Sequence, residues 1–175
     1  CAKTKVRTAG ELRLKLIKIT ENIFCAEKSE NIFVSSSDGS MTFNQFRSQV
    51  YLLKNYMYNT VSVDPINIGI LVRSKSICCE LYIATLEAGH SAAIMDFGKT
   101  QNELDQYINT TPISLVICSR YDRSIYNFKC SILYVEDMVL HTCSGTDFIA
   151  EDIYGDTIVQ TSGASGKRKT VRLST

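Results

Sequence analysis

The run Thr161-Ser162-Gly163-Ala164-Ser165-Gly166-Lys167-Arg168-Lys169 carries the densest chemistry in the sequence. Gly163 and Gly166 let a backbone approach an anion closely, because no Cβ stands in the way. Successive N–H groups in a tight turn form a nest for negative charge. The hydroxyls of Thr161, Ser162 and Ser165 add donors, and Lys167 and Lys169 add positive charge. Together they have the makings of a phosphate clasp. Two other readings stand beside it. A P-loop of the form G-x-x-x-x-G-K-[ST] needs a glycine where Thr161 stands and a hydroxyl where Arg168 stands. A solvated Ser/Gly turn with a basic tail of Lys167, Arg168, Lys169 and Arg172 needs no ligand at all.

Other reactive residues point to less. The 7 cysteines are odd in number, include the adjacent pair Cys78-Cys79 and form no C-x-x-C. His90 and His141 have no cysteine pair at zinc-ligand spacing. Reduced, mostly buried thiols of a cytoplasmic protein are expected. His90 reads as a loop residue after Gly89, and His141 as part of an irregular stretch. Asp96 ends a strand and suits a turn or cap. Tyr51, Tyr56 and Tyr58 read as the rim of a core. No paired carboxylates and no Ser-His-Asp set emerge.

The chain has 175 residues, 19 Lys+Arg against 18 Asp+Glu, and 2 Pro. Such near-neutral, ordinary composition argues against a disordered chain and against a dedicated nucleic-acid binder. No apolar run reaches the length of a membrane span, and the first residues contain no signal-peptide core. The chain opens on Cys1 rather than Met, which suggests a trimmed or excised chain.

The elements that must hold the loop follow from apolar periodicity. Residues 11–23 predict an amphipathic helix, and residues 31–35 a strand before the turn signal Asp38-Gly39. Thr42 with Gln45 forms a capping box, with Met41 and Phe46 as its staple, for a helix over residues 41–58. Phe43, Phe46, Val50, Leu53 and Met57 form its stripe. Residues 66–72 (INIGILV) suit a strand covered on both faces. Ser74 and Gly89 bracket a second helix. Residues 91–95 make a strand, and Thr100 with Glu103 caps a helix that Pro112 stops. Residues 113–118, 131–135 and 156–160 complete the strands. This alternation predicts an α/β fold: a layered, mostly parallel sheet with flanking helices. Its ligand site is expected beyond the carboxyl ends of the strands.

Against this background the loop resembles the signature phosphate-binding loop of the AMP-forming adenylation superfamily, T-S-G-[ST]-[ST]-G-x-P-K-G-V. That group contains acyl-CoA synthetases, luciferases and nonribosomal peptide synthetase adenylation domains. Residues 86–96 (LEAGHSAAIMD) resemble its L-K-A-G-x-x-x-x-P-x-D segment, and residues 41–46 (MTFNQF) its L-T-Y-x-E-L segment. Residues 66–73 and 101–118 are similar to the family's neighbouring strands and helix, all in family order. Departures are Ala164 at a hydroxyl position, Arg168 for Pro, Thr170 for Gly, Ile94 for Pro, and Thr175 near a frequent His.

The resemblance implies the N-terminal subdomain of an adenylate-forming enzyme, with residues 1–30 as a lead-in helix and residues 31–175 as the α/β subdomain ending at the loop. It implies a ligase that activates a carboxylic acid with ATP and Mg2+, giving an acyl-adenylate and pyrophosphate. Coenzyme A or a carrier protein is the implied acceptor. Thr161, Ser162, Gly163, Ser165, Gly166, Lys167 and Lys169 would hold the leaving phosphates, Lys169 matching the motif's fixed lysine. A non-catalytic nucleotide- or partner-binding module that keeps the fold is the alternative. The family's other site parts fall downstream of the loop. The 175 residues alone are therefore expected to show no acid-dependent ATP–pyrophosphate exchange with a mixed pool of acids, and robust exchange would contradict this.

Overall fold

A computed structural model describes residues 30–36, 39–141, 155–161 and 169–173. The expected helix over residues 11–23 lies outside the described residues. Strands β1 (Ile32–Ser36) and β2 (Gly39–Thr42) form an antiparallel hairpin, with Gly39 at φ 129°. A positive φ of this kind suits glycine at a turn. The pairing of β2 with β1 was not foreseen from the sequence.

Helix α1 (Phe43–Thr60) starts where the capping box requires. Thr42 Oγ1 accepts from the Gln45 amide at 3.2 Å, and Gln45 Oε1 accepts from the Thr42 amide at 2.9 Å. Phe46, Val50, Leu53 and Met57 form its buried face. Phe33 of β1 seals the hairpin onto it, with ring centroids 4.4 Å from Phe46 and 4.7 Å from Phe43.

A 6-stranded sheet follows, built from β3 (Asn67–Leu71), β4 (Ser91–Ile94), β5 (Leu115–Cys118), β6 (Ser131–Tyr134), β7 (Thr157–Thr161) and β8 (Lys169–Leu173). Their spatial order is β6-β5-β3-β4-β7-β8. All ladders are parallel except β7–β8. Helices α2 (Lys75–Glu87), α3 (Gln101–Thr110), α4 (Arg120–Ile125) and α5 (Val135–His141) connect the strands. The fold is thus the layered, mostly parallel α/β sheet expected.

Side chains alternate between the two faces of each strand, so β3, β4 and β5 each feed two cores. Ile68, Ile70, Ala92, Leu115 and Ile117 join α1 and α2 residues in one. Leu71, Ala93, Val116, Cys118 and Ile158 join Leu104, Tyr107 and Ile108 of α3 in the other. Continuous apolar strands are the sequence mark of this arrangement.

Local signals set the helix ends. The second capping box is present, Thr100 with Glu103. Helix α2 ends in a Schellman motif, with Gly89 N–H donating to Leu86 O and His90 N–H to Thr85 O. Gly89 takes φ 83° there. At its other end Ser74 sits at the capping position but makes no side-chain cap. Its hydroxyl pairs instead with that of Ser76 at 3.0 Å. Helices α4 and α5 and strand β8 were not foreseen, and His141 closes α5 rather than lying in an irregular stretch. Among the described residues no helix is long and apolar enough to cross a membrane.

His90 is 2% exposed, and its Nδ1 accepts from the Ile66 amide at 3.5 Å. Burial lowers its pKa from the ordinary 6.5. The folded state therefore favours the neutral ring. Its contribution is complete above the unfolded value and is lost as pH falls through that value toward the folded one. Buried Glu80 works in the opposite sense, because burial raises its pKa and folding then favours the protonated acid. Comparing His90→Gln with the parent by urea unfolding at pH 7.5 and pH 5.0 isolates the histidine. The parent should lose more stability over this interval than the variant, and equal losses would contradict the assignment.

Candidate functional site

The parallel strands place all their carboxyl ends at one edge of the sheet. Strand β7 ends at Thr161 and β8 begins at Lys169, and the two residues are Cα partners in the antiparallel ladder. The loop expected to clasp phosphate is thus the connection of a hairpin whose base is set at that edge. Thr161 and Lys169 are its two stems. Ser162, Gly163, Ala164, Ser165, Gly166, Lys167 and Arg168 lie outside the described residues.

Several contacts fix the first stem. The Gly155 amide donates to Leu86 O at 2.8 Å and the Ala92 amide to Asp156 O at 2.8 Å. The hydroxyls of Tyr82 and Thr157 meet at 2.6 Å, tying α2 to β7. Gly155 lies against the His90 backbone so closely that a Cβ would overlap the His90 carbonyl. The second stem is held differently. Every described residue of β8 is exposed, so burial does little for this strand. Its register rests on the ladder, on Arg172, which donates to Asn67 Oδ1 at 2.7 Å and to Asp156 Oδ2 at 3.3 Å, and on the hydroxyls of Thr170 and Thr111, 3.4 Å apart.

The ladder between β4 and β7 is short, with only Ala92↔Thr157 and Ala93↔Ile158 in register. Beyond it β4 ends at Ile94 while β7 continues to Thr161. A cleft of about 370 Å³ opens between them, lined by Tyr82, Ile94, Asp96, Lys99, Tyr107 and Thr157 through Gln160. Asp96 folds its own turn, accepting the Gly98 amide at 2.8 Å. Lys99 brings a positive charge to the cleft wall. Ile94, a departure from the family pattern, is 54% exposed at the same wall.

Other candidates have structural roles. Tyr56 packs on the core margin, and Tyr51 and Tyr58 are exposed beside it. Cys78, Cys79, Cys118 and Cys130 are free thiols. Burial, helped by Asp122, pushes Cys118 up to about 11, so it stays protonated and inert near neutral pH. Among the described residues no group of three or more His, Cys, Asp or Glu comes together to hold a metal ion.

No family model and no curated protein matches the sequence. Solved structures do match. The N-terminal subdomain of NpsA from Klebsiella oxytoca, in complex with 3-hydroxybenzoyl-AMSN, aligns over 89% of this chain and 39% of its own at TM-score 0.77 and 13% identity. Apo MatB from Rhodopseudomonas palustris aligns over 88% of this chain and 34% of its own, at TM-score 0.70 and 17% identity. O-succinylbenzoate coenzyme A synthetase (MenE) from Bacillus subtilis, in complex with ATP and magnesium, aligns over 82% and 39%, at TM-score 0.67 and 14% identity. The fold is that of the N-terminal subdomain of adenylate-forming enzymes. The chain spans about two-fifths or less of the length of these structures. Thr161 and Lys169, at the ends of β7 and β8, frame residues 162–168, and Thr157 through Gln160 of β7 line the cleft.

Gly155→Ala tests whether the seat of β7 depends on the close approach to His90. The variant should lose on the order of 3 kcal/mol of stability, because backbone on backbone cannot give way as a side chain can. Chemical denaturation measures this, and a loss below about 0.5 kcal/mol would contradict it.

Proposed function

We propose that the chain is the N-terminal part of an ATP-dependent ligase that activates a carboxylic acid as an acyl-adenylate, with release of pyrophosphate. The observation that carries this reading is the hairpin base, Thr161 opposite Lys169, at the carboxyl edge of a sheet with the adenylate-forming subdomain fold. Between those residues stands a sequence rich in glycine, hydroxyls and lysine.

The residues suit the polyphosphate of ATP. Backbone N–H groups around Gly163 and Gly166, the hydroxyls of Thr161, Ser162 and Ser165, and the ammonium groups of Lys167 and Lys169 all donate, and phosphate oxygens all accept. In acid activation the carboxylate attacks the α-phosphate and pyrophosphate leaves. The loop's part is to bind and orient the β- and γ-phosphates and to stabilise the charge that grows on the leaving group. Lys169 is the fixed donor, held at the first position of β8, while Lys167 is the more variable one. Magnesium would travel with the ATP phosphates; no described carboxylate cluster is required to cage it. Fatty, aryl and amino acids are candidate substrates, and coenzyme A or a carrier protein is the candidate acceptor.

A second reading, a non-catalytic module that binds a nucleotide or a partner, is favoured by the exposed Ile94 and by Ala164 and Arg168, which replace residues usual in the family. Where the module binds a nucleotide, both readings require the loop to bind phosphate, and they part on whether an acid is activated.

Titrating the 175-residue chain with MgATP, followed by NMR, tests the shared requirement. Shifts should appear at Thr161 and Lys169 and between them. Lys169→Ala should weaken binding about tenfold, or roughly 1.4 kcal/mol, consistent with loss of one charge-assisted contact. Binding unchanged in Lys169→Ala would overturn the assignment of the loop.

A further inference from the structure

The loop uses the β7–β8 side of the sheet and leaves its topological switch point unused. Strand β3 leads through α2 to β4 on one side, whereas its neighbour β5 leads through α4 to β6 on the other. The connections depart in opposite directions from adjacent strands. Crevices of this kind, at the carboxyl ends, are where open α/β sheets commonly take ligands.

Residues at this crevice form a built constellation. Arg73, two positions beyond β3, donates through Nε to Asp122 Oδ1 at 2.8 Å. Asp122 lies in α4 beyond β5, and its side chain is only 2% exposed. Ser119 Oγ holds its other oxygen at 2.7 Å. The carboxylate is thus fixed on both oxygens and sets the plane and direction of the guanidinium. The guanidinium carbon lies 4.5 Å from the Phe97 ring centroid and 5.7 Å from that of Tyr121. Yet the Arg73 side chain is 54% exposed and Tyr121 is 66% exposed. Only Nε is used by Asp122, so Nη1 and Nη2 make no hydrogen bond among the described residues. An arginine oriented by one edge presents its other edge as a two-donor fork, which matches phosphate or carboxylate oxygens.

We propose that Arg73, aimed by Asp122 and Ser119 and flanked by Tyr121, forms a second anion-binding site at the β3–β5 crevice. It takes a phosphate or carboxylate on a small molecule that also carries a flat ring: the fork binds the anion and Tyr121 stacks on the ring. The site lies two strands away from β7, about 10 Å at the usual strand spacing. It is distinct from the phosphate loop and does not depend on what that loop binds.

The test is an NMR titration of the 175-residue chain with AMP and with benzoate, the two sources of this chemistry, and with orthophosphate as the ringless control. Readouts are the Arg73 side-chain Nε–H and the Tyr121 ring protons. At least one of AMP and benzoate should shift both groups with a saturable curve, more tightly than orthophosphate. Arg73→Lys keeps a cation for Asp122 but lacks the fork, and should weaken binding at least tenfold. Tyr121→Leu changes an exposed side chain and should weaken it about threefold. Lys169→Ala should leave the curve unchanged, which separates this site from the loop. The proposal is overturned if neither probe shifts these groups, if Arg73→Lys binds as the parent does, or if Lys169→Ala abolishes the shifts.

Discussion

Burial of β3 on both faces and both edges is the constraint on which the rest of this structure depends. Ile68, Ile70 and Leu71 are fully buried, each contributing roughly 1.5–3 kcal/mol relative to exposure. Pairing with β4 on one side and β5 on the other leaves the strand no free edge. A parallel strand needs a crossover to reach its neighbour, so α2 and α3 must cover the sheet. The carboxyl ends then collect at one edge. Chemistry at that edge follows from topology before any particular side chain is chosen.

Two places at the edge depart from this regular packing. Between β4 and β7 the ladder stops after two register pairs, and a cleft replaces the missing contacts. The β7–β8 hairpin projects past it, with an exposed outer strand whose position rests on Arg172 and on its ladder. Low burial leaves β8 held by hydrogen bonds rather than by core packing, whereas β7 is anchored in the core through Ile158. At the β3–β5 crevice the opposite holds. A buried carboxylate anchors Arg73 and leaves an exposed cationic edge.

Much of this was legible in the sequence for local reasons. The Thr42–Gln45 and Thr100–Glu103 boxes are reciprocal hydrogen bonds between residues three apart, so spacing alone reveals them. Continuous runs such as residues 66–72 reveal two-sided burial. What was missed depends on partners distant in the chain. Strand β8 has an alternating pattern, with Val171 and Leu173 between polar residues, but it reads as a basic tail until β7 supplies its ladder. Helix α4 is short, and its signal was the pair Ser119 and Asp122, where Ser119 accepts the Asp122 amide. Nothing local links Asp122 to Arg73, 49 positions apart. The cleft beside β7 likewise arises from where two strands part. Ser74 shows the converse, a capping residue type at the right position whose hydroxyl found another partner.

The most direct measurement is a crystal structure of this chain soaked with ATP and magnesium. The account predicts polyphosphate oxygens within hydrogen-bond distance of the amides between Thr161 and Lys169 and of the Lys169 ammonium. A polyphosphate bound away from that hairpin, or none at saturating ATP, would contradict it.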